Sequence, residues 1–334
     1  MPDARDAYDE LKSRLLQRLA SDIDHSINLG NKAASRTLIQ KRLDALLVED
    51  NILLKQHERR QLAEDIVGEL LNLAPSTRSK DAAAPFFTIQ ELCDSRMVNK
   101  ESIDFLQAAV AARLNIVISG LAETGKTTLL RALCDFVPED ERIVTIEETA
   151  ELQLNHEHVI SLETRQSRGS GHSDISTETL IMTSSRSRLD RLIIGSIAGR
   201  EAFTWLQVVN GTLACSMTSC EAESAQDSLS RIEMMALLGE PAAAQEQVRE
   251  QIMSAVDLIV HLERMPDNSL KVGSISEPTG FKDSHFVTAK IFQFEQSGLE
   301  DGQIIGTLQP AGAPSHCAQK IRDAGIPLPT STGI

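Results

Sequence analysis

The apolar positions of the chain fall into two regimes divided by a polar stretch. Over residues 5–73 they recur at helical spacing. Tyr8, Leu11, Leu15 and Leu19 make one stripe, Ile39, Leu43, Leu46 and Leu47 a second, and Leu62, Ile66, Leu70 and Leu73 a third. SINLGNKAAS and EDNILLKQHE separate the stripes. No single stripe can be buried alone, so residues 1–73 are predicted to form a small helical unit, with no catalytic group in it. APSTRSKDAAAP, residues 74–85, is rich in Ala, Ser and Pro and reads as a linker. Over 86–334 short apolar runs alternate with helical stretches. Strands are predicted at NIVISG (115–120), RIVTIEE (142–148), HVISLET (158–164), RLIIGS (191–196), LACSMTS (213–219) and VDLIVHLER (256–264). The alternation predicts an α/β fold with a mostly parallel sheet. LKVGSISEPTGF and SHFVTAKIFQFEQ add a β-hairpin, and CAQKIRDAGIPLP a last short helix.

Composition narrows the classes. The 334 residues contain no apolar run near the ~20 that a membrane-spanning helix needs. The first residues, MPDARDAYDELKSRLLQRL, lack the apolar centre of a signal peptide, so a cytoplasmic location is expected. The five cysteines are scattered, and Cys215 and Cys220 have no matching pair, which points to reduced thiols rather than a zinc site. A net charge of −15 argues against a broad nucleic-acid surface, and one Trp with one Tyr against base stacking. No direct nucleic-acid partner is expected.

The chemistry is concentrated in GLAETGKTTLLRAL, residues 120–133. Gly120, four residues, then Gly125-Lys126-Thr127 fits the phosphate-loop spacing, directly after a predicted strand and at the start of a predicted helix. In such a loop backbone N–H groups turn toward phosphate, Lys126 reaches the outer phosphates and the Thr127 hydroxyl ligates Mg²⁺. Gly120, Glu123, Thr124, Gly125, Lys126, Thr127 and Thr128 are the candidate nucleotide-binding residues, with ATP and Mg²⁺ as cofactors. Glu123 introduces a carboxylate beside the expected phosphate; inward, it would weaken binding.

Beyond the loop the chain resembles the type II/IV secretion ATPases, and within them the CpaF-like ATPases of tight-adherence (Flp) pilus assembly. YDELKSRLLQRL, FLQAAVAARLNIVISG, TTLLRALCDFVPEDERIVTIEETAELQL, HVISLETR, RLDRLIIG, REQIMSAVDLIVHLER and AGIPLP carry the likeness, in the family's order and over most of the chain. The resemblance implies a P-loop NTPase (RecA-like) core. It also implies a hexameric ring, peripheral at the cytoplasmic face of the inner membrane and working with a membrane platform protein. The family's acidic box is present as Glu147 and Glu148, the candidate catalytic carboxylates, with Glu148 also a candidate for holding Mg²⁺ through water. Arg165, Arg186 and Arg188 (with Arg191) are candidate phosphate or subunit contacts, or ordinary surface arginines.

Three departures from the family pattern point the other way. Ser196, in RLIIGSIAGREA, stands where the family has a glutamate, and Ala198 where it has an arginine, with Arg200 two residues on. A hydroxyl is a poor proton acceptor near neutral pH, and losing a general base lowers rates by ~10²–10⁴. Glu221 falls where the family has His and Glu223 where it has Asn, which reverses the local charge. A cap domain supplying arginines, of the kind worth ~10³–10⁵ in rate, is replaced by residues 74–85. The expectation is a nucleotide-binding subunit weak in hydrolysis that acts as an assembly or regulatory paralogue, in a homo-oligomer or a ring mixed with a full-length relative. The alternative is an active hexameric ATPase driving pilus assembly or secretion.

Overall fold

The computed structural model describes residues 15, 41–43, 45–47, 49–50, 62, 87–165, 174–211, 215–300, 302–312 and 315–328. Contacts divide the chain into two units, Met1–Ser79 with Ile160–Leu162 and Gln166–Asp174, and Lys80–Val159 with Glu163–Arg165 and Ile175–Ile334. In the first unit the described residues between 15 and 49 and Leu62 are helical, and Leu15, Leu43, Leu46, Leu47 and Leu62 are buried. The predicted linker, 74–85, lies outside the described residues.

The second unit begins with α1 (Ile89–Asp94) and α2 (Lys100–Ala111). Sequence-local caps start both. Thr88 and Glu91 form a reciprocal capping box on α1, and the Asn99 side chain accepts from the Ser102 N–H on α2. In chain order there follow β1 (Ile116–Gly120), α3 (Lys126–Cys134), β2 (Ile143–Glu147), β3 (Val159–Glu163, of which Ile160–Leu162 group with the first unit), α4 (Thr177–Ser185), β4 (Arg191–Ile197), α5 (Glu201–Gly211), β5 (Ser216–Glu221), α6 (Ala225–Gly239) and α7 (Gln245–Ala255). The chain closes with β6 (Leu258–Arg264), β7 (Leu270–Lys282), β8 (His285–Glu300), β9 (Gln303–Pro310) and α8 (His316–Asp323).

The strands form one sheet in the order β3-β2-β4-β5-β1-β6-β7-β8-β9. β1 pairs in parallel with β5 and β6, β2 with β4, and β4 with β5, while β6 through β9 are antiparallel. All five residues of β1 and of β2 are buried, as expected of parallel strands covered on both faces. The α/β prediction with a mostly parallel central sheet is therefore met. The hydrophobic core runs from α2 through β1 and α3 to the antiparallel strands, where the Phe105 and Phe292 rings lie 5.5 Å apart.

The appended hairpin is larger than expected: β9 makes it three-stranded. The run QIIGTLQP reads weakly as a strand because Gly306 interrupts it. That glycine is required, since a Cβ there would run into the Glu295 carbonyl and the Phe294 ring. The last helix is clamped by Glu277, whose buried carboxylate accepts from the Ser315 hydroxyl at 2.9 Å and the Cys317 N–H at 2.8 Å.

Candidate functional site

Parallel strands place their C-terminal ends on one edge, and β1 delivers the loop there. Gly120 ends β1 at φ +154°, where a Cβ would lie 2.6 Å from the Thr124 Oγ1 and 2.7 Å from the Leu262 carbonyl oxygen. Only glycine fits. Gly125 is the N-cap of α3 in the left-handed region, φ +88°, so the chain turns straight from the loop into the helix. The Thr124 hydroxyl donates to the Leu121 carbonyl at 2.8 Å and tightens the turn. Lys126 Nζ also donates to the Leu121 carbonyl, at 2.7 Å, so the ammonium is held over the loop. Burial lowers the pKa of Lys126, and Glu221 acts in the opposite sense. Thr127 and Thr128 occupy the first turn of α3, where free N–H groups and the helix dipole favour an anion. Glu123 is exposed, in the left-handed region at φ +58°, and Arg264 donates to its carbonyl at 2.6 Å. These residues fit a magnesium-bound triphosphate: the cradle excludes Cβ atoms, one cation overhangs it, and a hydroxyl sits at the helix start.

The two carboxylates of the acidic box are separated by the pleat of β2. Glu147 is buried, and its Oε1 accepts from the Glu151 N–H at 3.1 Å and the Leu152 N–H at 3.0 Å. Burial raises its pKa against the lowering effect of those two N–H groups. Gly195 leaves it room, because a Cβ there would sit 3.1 Å from the Glu147 Cγ. Glu147 thus holds its own turn through one carboxylate oxygen, and Glu148 is the exposed member of the pair. Arg165 stands beside them, since the neighbouring Thr164 N–H donates to the Glu147 carbonyl at 2.9 Å.

Ser196 lies exposed near the end of β4. The amides that follow it, of Ala198 and Gly199, both donate to Glu201 Oε1, at 2.7 and 2.8 Å. A carboxylate of the chain itself therefore satisfies the donors at the start of α5, and Arg200 is exposed beyond them. Between β4 and β1 runs β5, whose last residue, Glu221, pairs in register with Gly120. The Ala222 N–H donates to the Gly120 carbonyl at 3.2 Å. Glu221 is exposed at this edge, and the adjacent Cys220 thiol is pushed up to about 12 by burial. Beneath the loop the Ser119 hydroxyl and His261 Nδ1 are 2.9 Å apart, and burial lowers the His261 pKa.

Two arginine candidates stand elsewhere. Arg186 and Arg188 are exposed on the stretch leading into β4, where the Asp190 N–H donates to the Arg142 carbonyl at 2.9 Å. That is the N-terminal edge, so within one chain they stand at the opposite end of the parallel strands from the phosphate loop. Arg191 is fully buried there and is a structural group, held by Glu141, by the Val110 carbonyl at 2.7 Å and by Cys215. His156 Nε2 lies 2.8 Å from the Pro138 carbonyl, also away from the loop, and His172 lies outside the described residues. Sequence reasoning gave Glu221 only as a changed residue. Its adjacency to Gly120 comes from the strand order and has no local signal.

Residues 81–319 match the family model "Type II/IV secretion system protein", and residues 8–71 match "Type II secretion system protein E, N-terminal domain". The conjugal transfer protein TrbB of Rhizobium radiobacter is 28% identical over 225 residues, 66% of each chain. The type IV secretion system protein VirB11 of Bartonella quintana (strain Toulouse) is 31% identical over 182 residues, 53% of this chain and 50% of that protein. The crystal structure of the Brucella suis VirB11 ATPase with sulphate gives a TM-score of 0.47 at 27% identity, over 60% of this chain and 59% of that one. The chain spans between half and two thirds of the length of these curated relatives. Among the described residues no helix is long and apolar enough to cross a membrane. The family match covers well over half of the sequence, so this chain belongs to the type II/IV secretion system protein family.

Proposed function

We propose that this protein is a nucleotide-binding subunit of a secretion or pilus-assembly machine, weak in hydrolysis by itself, with a regulatory or assembly role beside a complete ATPase. The observation that carries the reading is the contrast at one sheet edge. The loop from Gly120 to Thr127 retains the shape and charge of a phosphate cradle, while Ser196 presents a hydroxyl at the end of β4 and Glu147 is committed to its own turn. Bound Mg²⁺–ATP would supply a triphosphate whose terminal bond is open to attack by water once the charge on its oxygens is neutralised. The residues present would do the binding half. Lys126 would reach the outer phosphates, Thr127 would offer its hydroxyl to the cation, and the N–H groups of the loop and of α3 would hold the remaining oxygens. The residue at the position of Ser196 does not orient or deprotonate a water, at a cost of ~10²–10⁴ in rate.

The names of the relatives place them in conjugal transfer and type IV secretion. By that likeness the partners proposed here are further copies of this chain or a full-length paralogue, in a ring at the cytoplasmic face of the inner membrane, and a membrane platform protein. The finer placement, in CpaF-like Flp pilus assembly, rests on the sequence segments that resemble that branch. The opposing reading, an active hexameric ATPase, is favoured by the exposed carboxylate of Glu148 at the end of β2.

Purified protein assayed with and without its paralogue separates the two. Binding of labelled ATP with turnover far below ~1 s⁻¹, raised by Ser196→Glu and abolished by Lys126→Ala, is the expected result. Turnover of order 1 s⁻¹ by the unmodified chain alone, lost in Lys126→Ala, overturns it.

A further inference from the structure

We infer that Glu221 is the carboxylate that would anchor the divalent cation of a bound nucleoside triphosphate, together with the Thr127 hydroxyl. The inference deepens the nucleotide-binding reading and rests on it.

The argument is one of position. β5 is inserted between β1 and β4, so its C-terminal residue is nearer the phosphate loop than any residue of β4 or β2. Glu221 pairs in register with Gly120, and the Ala222 N–H fixes the backbone to the Gly120 carbonyl at 3.2 Å. At the ordinary strand spacing the two Cα atoms are ~5 Å apart, which brings a glutamate side chain within reach of the first turn of α3. Its charge is felt at Lys126.

Most of the other acids around this edge are engaged or farther away, and Glu223 is exposed beyond the end of β5. Glu148 follows β2, three strand spacings or ~14 Å from β1. Glu147 and Glu201 are occupied by backbone N–H groups. Asp227 accepts from the Glu223 N–H and from Arg231. Glu263, on the other neighbour of β1, lies against Gly273 and 3.9 Å from His261. Glu123 is exposed on the loop, its carbonyl held by Arg264.

An anion one strand from a triphosphate has opposite effects on two ligand forms. It repels metal-free ATP, and it attracts the hydrated cation of Mg²⁺–ATP. Glu221 therefore acts as a selector for the metal-loaded nucleotide, and the role assigned to Glu148 from sequence passes to it.

The test is equilibrium binding of a fluorescent ATP to the full chain, with Mg²⁺ and with EDTA, for wild type, Glu221→Gln and Glu221→Asp. Wild type is expected to favour the Mg²⁺ form. Glu221→Gln is expected to bind Mg²⁺–ATP more weakly and metal-free ATP more tightly, so that the ratio of the two dissociation constants falls by about ten-fold or more. Glu221→Asp retains most of that ratio. Unchanged melting without nucleotide confirms that each variant is folded. Glu221→Gln tightening both forms equally would show a carboxylate that merely repels phosphate, and no change in either would show one facing away; both outcomes overturn the inference. No binding by wild type in either condition overturns instead the nucleotide-binding reading itself.

Discussion

At the two ends of the same parallel strands this protein treats charge in opposite ways. At the N-terminal edge Arg191 is fully buried, doubly bonded to Glu141, and supported by the Val110 carbonyl and Cys215. Arg113 joins the same carboxylate at 2.9 Å. At the C-terminal edge Lys126 leans on the carbonyl of its own loop, while Glu148, Glu221 and Ser196 are exposed and the backbone at Glu123 and Gly125 is left-handed. One edge has its charges matched internally and serves folding. The other leaves carboxylates and a hydroxyl exposed beside a half-buried ammonium. Charged residues occur at both ends, so the two edges differ in how far those groups are paired within the chain rather than in charge itself.

The comparison breaks most visibly at Arg191. Arg191→Met removes one side of a buried pair and is expected to cost ~3–5 kcal/mol in urea unfolding, with nucleotide affinity of the folded fraction unchanged. A loss below about 1 kcal/mol would mean that the N-terminal edge is not the structural end. Lys126→Ala is the mirror image. It should weaken ATP binding by ~10²-fold or more while leaving the urea midpoint close to wild type, because the contact it loses is to an exposed loop carbonyl. Glu147→Ala sits between the two classes. Two turn N–H groups lose their acceptor, at ~1–3 kcal/mol, whereas Glu147→Gln retains an acceptor oxygen and most of the stability.

The smallest effect concerns pH. Burial alone would raise Glu141, but Arg191 and Arg113 outweigh it and hold its carboxyl below the ordinary range. A depressed carboxylate lends stability that is present above its unfolded pKa and is lost as pH falls through the folded one. Wild type should therefore lose stability on acidification through that window. Glu141→Gln should flatten this part of a pH series of urea midpoints, and an unchanged slope would remove Glu141 from the account.

The strand–turn–helix around Gly120–Thr127 was legible in the sequence because its signals are contiguous. Gly120, Gly125, Lys126 and Thr127 are neighbours in a strand–turn–helix, and the left-handed turn at Gly125 is a local property of glycine. The same locality carried the apolar runs of β1, β2 and β4. What escaped depends on partners distant in the chain. Arg191 reads like Arg186 and Arg188 until Glu141, fifty residues earlier, is folded against it. β9 was missed because Gly306 interrupts its pattern, and the close approach to Glu295 that demands the glycine exists only in the sheet.

The sequence by itself determined the α/β class, the strand–turn–helix with its glycines and Lys126, and membership of a secretion family. Only the tertiary structure decided which carboxylate each strand brings to that cradle. The physical reason is that hydrogen bonding between strands, with β5 inserted between β1 and β4, sets distances across the edge that no spacing along the chain encodes.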